Sequence, residues 1–249
     1  MIKNIIRCQV TGSTNADAAK AASEGAPEGT LIVADRQEAG RGRKGRSWSS
    51  PEGCNLYCSL LLRPEYRPEQ ACMVTLVMAL AVSEAIHELG MDAWIKWPND
   101  IVISGRKVCG ILTEMSLAQG NIAHVVVGTG INVNQTEFPE EIRETATSLK
   151  IQSGHEADRE KLLARVMECF EKYYDTFLRD GDLSGLQELY EKRLVNRNQT
   201  VRVLDPAGEF EGTAIGINHL GELLVEKEDG TVEAVYAGEV SVRGVYGYV

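Results

Sequence analysis

The sequence predicts an α+β fold, in which a mixed, largely antiparallel sheet has helices on one face and is followed by a small C-terminal β-barrel. Three observations support this prediction. Strand-like apolar runs dominate residues 30–134 and alternate with few helices. Two long segments instead carry apolar residues at helical spacing. After Asn196 the chain changes to short strands separated by turns, a spacing typical of a small all-β barrel.

The change near Asn196 also predicts the domain boundary. We expect one domain over residues 1–195 and a second over residues 196–249. About fifty residues are marginal for independent folding, so the smaller domain should pack on the larger one.

Composition narrows the range of functions. The formal net charge of -10 and pI near 5.0 argue against a general nucleic-acid or anionic-membrane binder, whose surfaces are usually basic. The N-terminus lacks the apolar region of a signal peptide, and the longest apolar run is shorter than the ~20 residues of a membrane span. The six cysteines are scattered, so we expect reduced, mostly buried thiols in a cytoplasmic protein. From the charge and the short apolar runs, we expect no membrane or nucleic-acid partner.

The first motif is Ser13-Thr14-Asn15, which is followed by an alanine-rich stretch and Gly25. Small polar residues cap helices, alanine favours the helix body, and glycine ends it. The motif is therefore either a helix cap alone or a cap whose side chains also hydrogen-bond a neutral polar ligand.

The next elements alternate between strands and one long helix. Residues 30–35 form a short β-branched strand, and residues 55–62 form a nearly continuous apolar run typical of a central strand. Residues 69–89 have apolar positions at helical spacing.

A turn at Pro98-Asn99-Asp100 separates two strand-like runs, and residues 107–115 return as a third. Lys107 opens this otherwise apolar strand, where a cation is costly without an anionic partner. Gly110 indicates close approach of a ligand or another backbone. Residues 124–134 form one more buried strand with glycines inside it.

Three further helices are predicted between residue 134 and the barrel. Residues 139–150 carry a short helix ending near residues 146–149, residues 159–179 form a strongly amphipathic helix, and residues 185–193 form another short one.

The basic segment of residues 40–46 places four cations within six residues, interleaved with glycines. It lacks the Gly-x-x-x-x-Gly-Lys-Ser/Thr pattern of a P-loop. Such a segment should order around a polyanion rather than alone. Three interpretations remain: a nucleic-acid-binding arm, a solvated loop, or a mobile lid over nucleotide phosphates, with Trp48 covering the base or an apolar ligand.

Five motifs in order resemble those of biotin protein ligases, and the resemblance covers essentially the whole chain. They are Ser13-Thr14-Asn15, the segment of residues 40–48, Lys96-Trp97-Pro98-Asn99-Asp100, residues 106–112, and Gly128-Thr129-Gly130-Ile131-Asn132. The resemblance implies a class II synthetase-like catalytic domain with an SH3-like barrel. It also implies an ATP-dependent ligase that makes biotinyl-5′-AMP and transfers biotin to a lysine of a carrier domain. Because Ser13 lies almost at the start, we expect the form without the N-terminal DNA-binding domain.

The resemblance also assigns site residues. Lys107 and Arg43 are the expected catalytic cations, with Lys107 placed between the biotin carboxylate and the α-phosphate. The implied biotin-binding residues are Ser13, Thr14, Asn15, Gln37, Gly40, Arg41, Gly42, Arg43, Lys107, Gly110 and Ile111. The implied ATP-binding residues are Arg41, Arg43, Trp48, Lys96, Asn99, Asp100, Asn132 and Arg243. Sequence alone leaves the separate roles of Lys96, Asp100, Asn132 and Arg243 open, and Lys107 or Arg243 could instead be solvated surface cations.

The expected small molecules are ATP, biotin and Mg²⁺, with no metal ligand assigned with certainty. The expected partner is a biotin carboxyl carrier protein, and exposed sheet strands favour a side-by-side homodimer. Two alternatives remain. One is a lipoate ligase, although its usual Arg-Arg-x-Ser-Gly-Gly-Gly motif is absent. The other is a nucleic-acid-binding module that uses the basic segment.

Overall fold

The computed structural model describes residues 1–205, 208–237, 241–244 and 248. Within these residues, seven strands form the larger sheet in the order β1-β2-β3-β7-β6-β5-β4. The strands are β1 (Asn4–Thr11), β2 (Thr30–Gln37), β3 (Leu56–Leu62), β4 (Trp94–Lys96), β5 (Asp100–Ile103), β6 (Arg106–Ala118) and β7 (Asn121–Ile131). The β1–β2 pair is parallel, and the other pairs in this sheet are antiparallel. The predicted mixed, largely antiparallel sheet is confirmed.

Helices cover both faces of this sheet, which corrects the expectation of helices on one face only. The described helices are α1 (Thr14–Ser23), α2 (Met73–His87), α3 (Leu149–Ser153), α4 (Arg159–Asp180) and α5 (Gln187–Glu191). The long helices α2 and α4 share the main core on one face, as predicted. The short helix α1 lies on the opposite face, where Ala18 and Ala22 pack against Ile32, Leu61 and Val126.

Burial on both faces explains the continuous apolar runs in the central strands. Side chains alternate across a strand, so Leu31 and Val33 enter the main core while Ile32 faces α1. Every residue of β3 is buried, which is typical of a strand covered on both sides.

One strand was not predicted, and one predicted helix is wrong. β1 has no clear signal in the sequence, because as an edge strand it is mostly exposed and carries no continuous apolar face. The short helix expected to end near residues 146–149 is wrong. Glu140–Ile142 forms one 3-10 turn, and α3 begins at Leu149 after Ser148, whose hydroxyl accepts a hydrogen bond from the Ile151 backbone N–H. Ser148 is therefore a helix N-cap rather than part of a C-terminal turn.

The apolar segment Pro68–His87 is long and apolar enough to cross a membrane, yet 72% of its most apolar window is buried within the fold. It therefore serves as the core helix of the larger sheet. All six cysteines lie in the described part of the chain as free thiols. Only Cys58, Cys109 and Cys169 are buried, so the expectation of mostly buried thiols holds for half of them.

The second sheet is antiparallel and has five described strands in the order β11-β10-β9-β8-β12. They are β8 (Gln199–Leu204), β9 (Phe210–Ile217), β10 (Leu223–Glu226), β11 (Val232–Val235) and β12 (Ser241–Gly244). The buried Trp97 indole donates to the Gly221 carbonyl at 3.0 Å and joins this unit to the larger sheet. This unit agrees with the predicted C-terminal all-β fold, whereas the exact boundary at residues 195/196 stays a prediction.

Candidate active site

Two pockets meet beside the central strands β6 and β7, and we call them the inner and outer pockets. The inner pocket encloses only about 50 Å³. Its lining consists of Ser13, Thr14, Asn15, Gln37, Arg41, Gly42, Arg43, Trp48, Asn99, Lys107, Gly110, Ile111, Leu112, Gly128, Thr129 and Gly130. The outer pocket encloses about 570 Å³. Its lining includes Arg43, Arg46, Trp48, Lys96, Asn99, Asp100, Lys107, Asn132, Gln135, Arg243 and Tyr248.

Glycines form the floor of the inner pocket. Gly110 and Gly130 are paired residues of β6 and β7. A Cβ built on Gly130 would lie 2.6 Å from the Trp48 indole nitrogen, and one on Gly128 would lie 1.9 Å from Asn15 Oδ1. Side chains at these positions would therefore fill the space that Trp48 and Asn15 occupy. Gly110 is closely approached by the side chains of Trp48 and Lys107 rather than by another backbone, and the approach of a ligand stays a prediction.

The start of α1 supplies a neutral polar wall. The Thr14 backbone N–H donates to Gln37 Oε1 at 2.9 Å. Asn15 Nδ2 donates to the Leu112 carbonyl at 3.2 Å and to Glu114 Oε2 at 2.7 Å. Ser13 is the N-cap residue of α1, but its side chain makes no capping hydrogen bond. The motif starts the helix and its side chains line the pocket, and hydrogen bonding of these side chains to a ligand stays a prediction.

The basic segment is closed over the inner pocket. Arg41 and Ser47 form an isolated antiparallel bridge, and Arg41 pairs with Glu114 at 3.2 Å. The Arg43 guanidinium donates to Asn99 Oδ1 at 3.0 Å and to the Ala237 carbonyl at 2.8 Å. Contacts within the protein hold Arg41 and Arg43 in this conformation, and the expected ordering around a polyanion stays a prediction.

Trp48 lies on the glycine floor with its indole N–H buried. Among the described residues this N–H has no hydrogen-bond partner. A buried donor without an acceptor is costly and needs an explanation in a native structure. Trp48 therefore lies against Gly110 and Gly130 at the cost of one unsatisfied donor.

Lys107 stands at the border between the pockets and lines both. Its ammonium lies 2.6 Å from Asp100 Oδ1, which supplies the anionic partner expected for a cation at this strand position. The Lys107 ammonium also lies 5.2 Å from the Trp48 ring centroid. Because its side chain is only 24% exposed, the alternative of a solvated surface lysine does not fit.

The Asp100 carboxylate is ionised and contacts Lys107 and Tyr248. Burial by itself raises the pKa of Asp100, but the ion pair with Lys107, the hydrogen bond from Tyr248 and the charge of Lys96 together hold that pKa below its usual value. One carboxylate therefore organises the cations at the border.

Lys96 is a buried cation of the outer pocket, with only 6% of its surface exposed. The pKa of Lys96 is lowered to about 8, chiefly by burial. The negative charge of Asp100 acts in the opposite direction, and the positive charges of Lys107, Arg243 and Arg46 contribute to the lowering. Burial also lowers the pKa of Arg43. This concentration of positive charge favours a polyanionic ligand.

Most predicted site residues come together as expected. Of the predicted biotin-binding set, all but Gly40 line the inner pocket. Gly40 lies behind it, where its carbonyl accepts from the Trp48 backbone N–H at 2.8 Å. Ile111 lines the pocket and also belongs to the main hydrophobic core. Of the predicted ATP-binding set, all but Arg41 line the outer pocket, and Arg41 lies at the inner one.

Sequence reasoning missed several lining residues. They are Arg46, Leu112, Gly128, Gly130, Gln135 and Tyr248. Arg46 and the two glycines lie inside motifs that were recognised, so the composition of those motifs could have indicated them. Nothing in the local sequence marks Tyr248, because its placement depends on how the two sheets pack together.

Comparison with known proteins agrees with this geometry. Residues 7–132 match the biotin/lipoate A/B protein ligase family, and residues 198–243 match the biotin protein ligase C-terminal domain. The bifunctional ligase/repressor BirA of Bacillus subtilis is 39% identical over 245 residues, which cover 97% of this chain and 75% of that protein. The chain belongs to the biotin/lipoate A/B protein ligase family.

Other relatives of the ligase extend the comparison. The biotin–[acetyl-CoA-carboxylase] ligase of Mycobacterium tuberculosis is 34% identical, over 92% of this chain and 85% of its own length. A solved biotin protein ligase from Aquifex aeolicus, in complex with biotin and ATP, is 34% identical with a TM-score of 0.85. That match covers 98% of this ligase and 100% of the Aquifex chain.

Proposed function

We propose that this ligase activates biotin with ATP as biotinyl-5′-AMP and then transfers the biotinyl group to a lysine of a biotin carboxyl carrier domain. One observation carries the proposal: Lys107 lines both a small pocket with a wall of neutral polar side chains and a larger pocket that is rich in cations. A cation at such a border fits a reaction that joins a carboxylate to a phosphate. The names of the relatives support the same substrates.

The inner pocket suits the ring end of biotin. A ureido group offers donors and an acceptor, and Ser13, Asn15 and Gln37 offer complementary groups. About 50 Å³ holds only one or two water molecules. Biotin therefore has to displace Trp48 from Gly110 and Gly130, and this movement couples biotin binding to the basic segment.

The first step needs no protein nucleophile. The biotin carboxylate attacks the α-phosphate of ATP, the bond to the β-phosphate breaks, and pyrophosphate leaves. Lys107 reduces the repulsion between carboxylate and phosphate as they approach, and Arg43 adds a second positive charge. Catalysis then consists of positioning and charge neutralisation.

The outer pocket is large enough for a nucleotide, since small-molecule sites commonly occupy ~300–1,000 Å³. Lys96, Arg43 and Arg243 provide the positive charges for its phosphates. Among the described residues, no group of three or more His, Cys, Asp or Glu side chains could hold a metal ion. Mg²⁺ would therefore arrive with the ATP phosphates, whose oxygens it prefers, and Asp100 or Asn132 would contact it.

In the second step the carrier lysine, as a neutral amine, attacks the acyl carbon of biotinyl-5′-AMP. The acyl–oxygen bond to phosphate breaks, AMP leaves, and an amide forms. Closure of the basic segment, held by Arg43 on Asn99 and Ala237, retains the anhydride between the two steps.

The proposal is tested by pyrophosphate release and by streptavidin detection of a purified carrier domain. We expect both signals to require biotin and ATP together, and lipoate to replace biotin poorly. A lipoate-dependent signal would instead support the lipoate alternative. Salt-sensitive retention of DNA without pyrophosphate release would support the nucleic-acid alternative.

We also propose a cytoplasmic location and a side-by-side homodimer. The exposed side chains of Ile5, Ile6 and Val10 lie on β1, the outermost strand of the larger sheet. An exposed edge strand with apolar side chains is a site for pairing with another chain. Light scattering gives the molecular mass of the wild type and of Ile6→Lys in solution. The lysine places a positive charge on the edge strand and should shift a dimer towards the monomer.

A further inference from the structure

Tyr248 reaches the border of the two pockets from the C-terminal end of the chain. Its hydroxyl donates a hydrogen bond of 2.5 Å to Asp100 Oδ2. The Lys96 ammonium lies 3.7 Å from the centroid of the Tyr248 ring. One side chain therefore contacts both the carboxylate that pairs with Lys107 and a buried cation of the outer pocket.

The two oxygens of Asp100 have different partners. Lys107 lies on Oδ1, and Tyr248 lies on Oδ2. A carboxylate held at both oxygens has little freedom to rotate about its terminal torsion, which is otherwise broad. Tyr248 therefore helps to fix the orientation of the Asp100 carboxylate, and through it the position of the Lys107 ammonium.

Tyr248 forms a wall of the outer pocket and does not fill it. About 570 Å³ of space lies beside its ring, within the range of a nucleotide site. A nucleotide can thus bind while Tyr248 keeps its contact with Asp100.

We propose that Tyr248 is a positioning residue for adenylate formation, which orients Lys107 through Asp100. This inference rests on the proposed function of the ligase. Because Tyr248 contacts Asp100 rather than the inner pocket, loss of its hydroxyl should slow the chemical step and leave biotin binding unchanged. The ring is expected to retain its place over Lys96 in a phenylalanine variant.

The experiment compares Tyr248→Phe with wild type in pyrophosphate release at varied biotin and ATP. A hydrogen bond to a charged group is worth about one order of magnitude in rate, so kcat should fall about tenfold while both KM values stay within about twofold. Tyr173→Phe is the matched control, because Tyr173 is a buried tyrosine of α4 away from both pockets. It should leave kcat unchanged.

A double-mutant cycle shows whether the effect passes through Asp100. In an Asp100→Ala background, Tyr248→Phe should have no further effect on kcat. The inference alone is overturned if Tyr248→Phe matches an active wild type, if its loss adds fully to that of Asp100→Ala, or if Tyr173→Phe shows the same loss. A wild-type protein that releases no pyrophosphate overturns the proposed function and this inference together.

Discussion

The inner and outer pockets differ in size, charge and construction. The inner pocket is a space of about 50 Å³ with a floor of glycines and a wall of hydrogen-bonded polar side chains, and Arg41, Arg43 and Lys107 also line it. The outer pocket holds about 570 Å³ and is lined by several cations around the Asp100 carboxylate, whose side chain is 13% exposed. Shape and neutral hydrogen-bonding groups therefore distinguish the inner pocket, whereas positive charge from Arg43 and Lys107 is common to both pockets.

The difference implies that substitutions should separate the two kinds of recognition. A change in the glycine floor should affect biotin more than ATP. A change in buried charge should affect ATP, the chemical step, or both. Lys107 belongs to both pockets and should have the largest effect of all.

Lys107→Ala removes a cation that lines both pockets and pairs with Asp100. We expect adenylate formation to slow by about 100- to 1,000-fold, the scale for losing one preorganised charge-stabilising group. Single-turnover pyrophosphate release measures the step. Lys192→Ala, which removes an exposed lysine on the α5 side of the molecule, is the control. A near-normal rate for Lys107→Ala would remove this residue from the mechanism.

Gly128→Ala tests the inner pocket alone. The added Cβ would lie 1.9 Å from Asn15 Oδ1, so Asn15 or the strand has to shift. An overpacking cost of about 1–3 kcal/mol predicts that the Kd for biotin rises by roughly 5- to 150-fold, with the KM for ATP unchanged. Calorimetry measures the Kd. Gly12→Ala is the control, because its added Cβ would have no atom within 4 Å, and it should bind biotin with an unchanged Kd. An unchanged Kd in Gly128→Ala would contradict the assignment of Gly128 to the pocket floor.

Arg43→Gly tests closure of the basic segment. Its loss removes the contacts to Asn99 and Ala237, so biotinyl-5′-AMP should escape and label lysines indiscriminately. We expect free adenylate to rise about tenfold, on the scale of one or two charge-assisted hydrogen bonds. Mass spectrometry of a bystander protein measures the labelling. Labelling confined to the carrier domain would rule out the lid role.

Lys96 gives the smallest expected effect, a dependence on pH. Burial lowers the pKa of Lys96 to about 8, so this cation loses its proton as the pH rises through 8. The kcat/KM for ATP reports ionisations of the free enzyme and should fall a few-fold above that pH. Lys96→Arg keeps its charge and should extend the plateau to higher pH. The same fall in both proteins would assign the titration to another group.

The same ionisation has a consequence for stability. The unfolded chain binds the Lys96 proton up to a higher pH than the folded protein does, because an unperturbed lysine has a pKa near 10.4. Between about pH 8 and that value, stability should therefore rise with pH as far as Lys96 contributes. Activity and this part of stability thus change in opposite directions.

The sequence predicted the elements that have strong periodicity or both faces buried. α4 and β3 are examples, since one shows a clear helical pattern and the other a continuous apolar run. β1 escaped because an exposed edge strand has no such pattern. α3 was misplaced because Ser148 can end one segment or cap the next, and only the tertiary structure decides.

Site residues were predictable where they lie in short motifs, and less so where distant segments meet. Lys107 stood out in the sequence as a cation in an otherwise apolar strand, and this position predicted that it has an anionic partner. The identity of that anion as Asp100 depends on the pairing of β5 with β6. The contact of Tyr248 with Asp100 depends on the packing of the two sheets, which no local pattern encodes.

The central claim is that Lys107 joins the two pockets, and a crystal structure with biotin and a non-hydrolysable ATP analogue tests it most directly. We expect the Lys107 ammonium within about 3.2 Å of both the biotin carboxylate and an α-phosphate oxygen, with Trp48 displaced from the glycine floor. A structure that contains both ligands while Lys107 contacts neither would contradict the account.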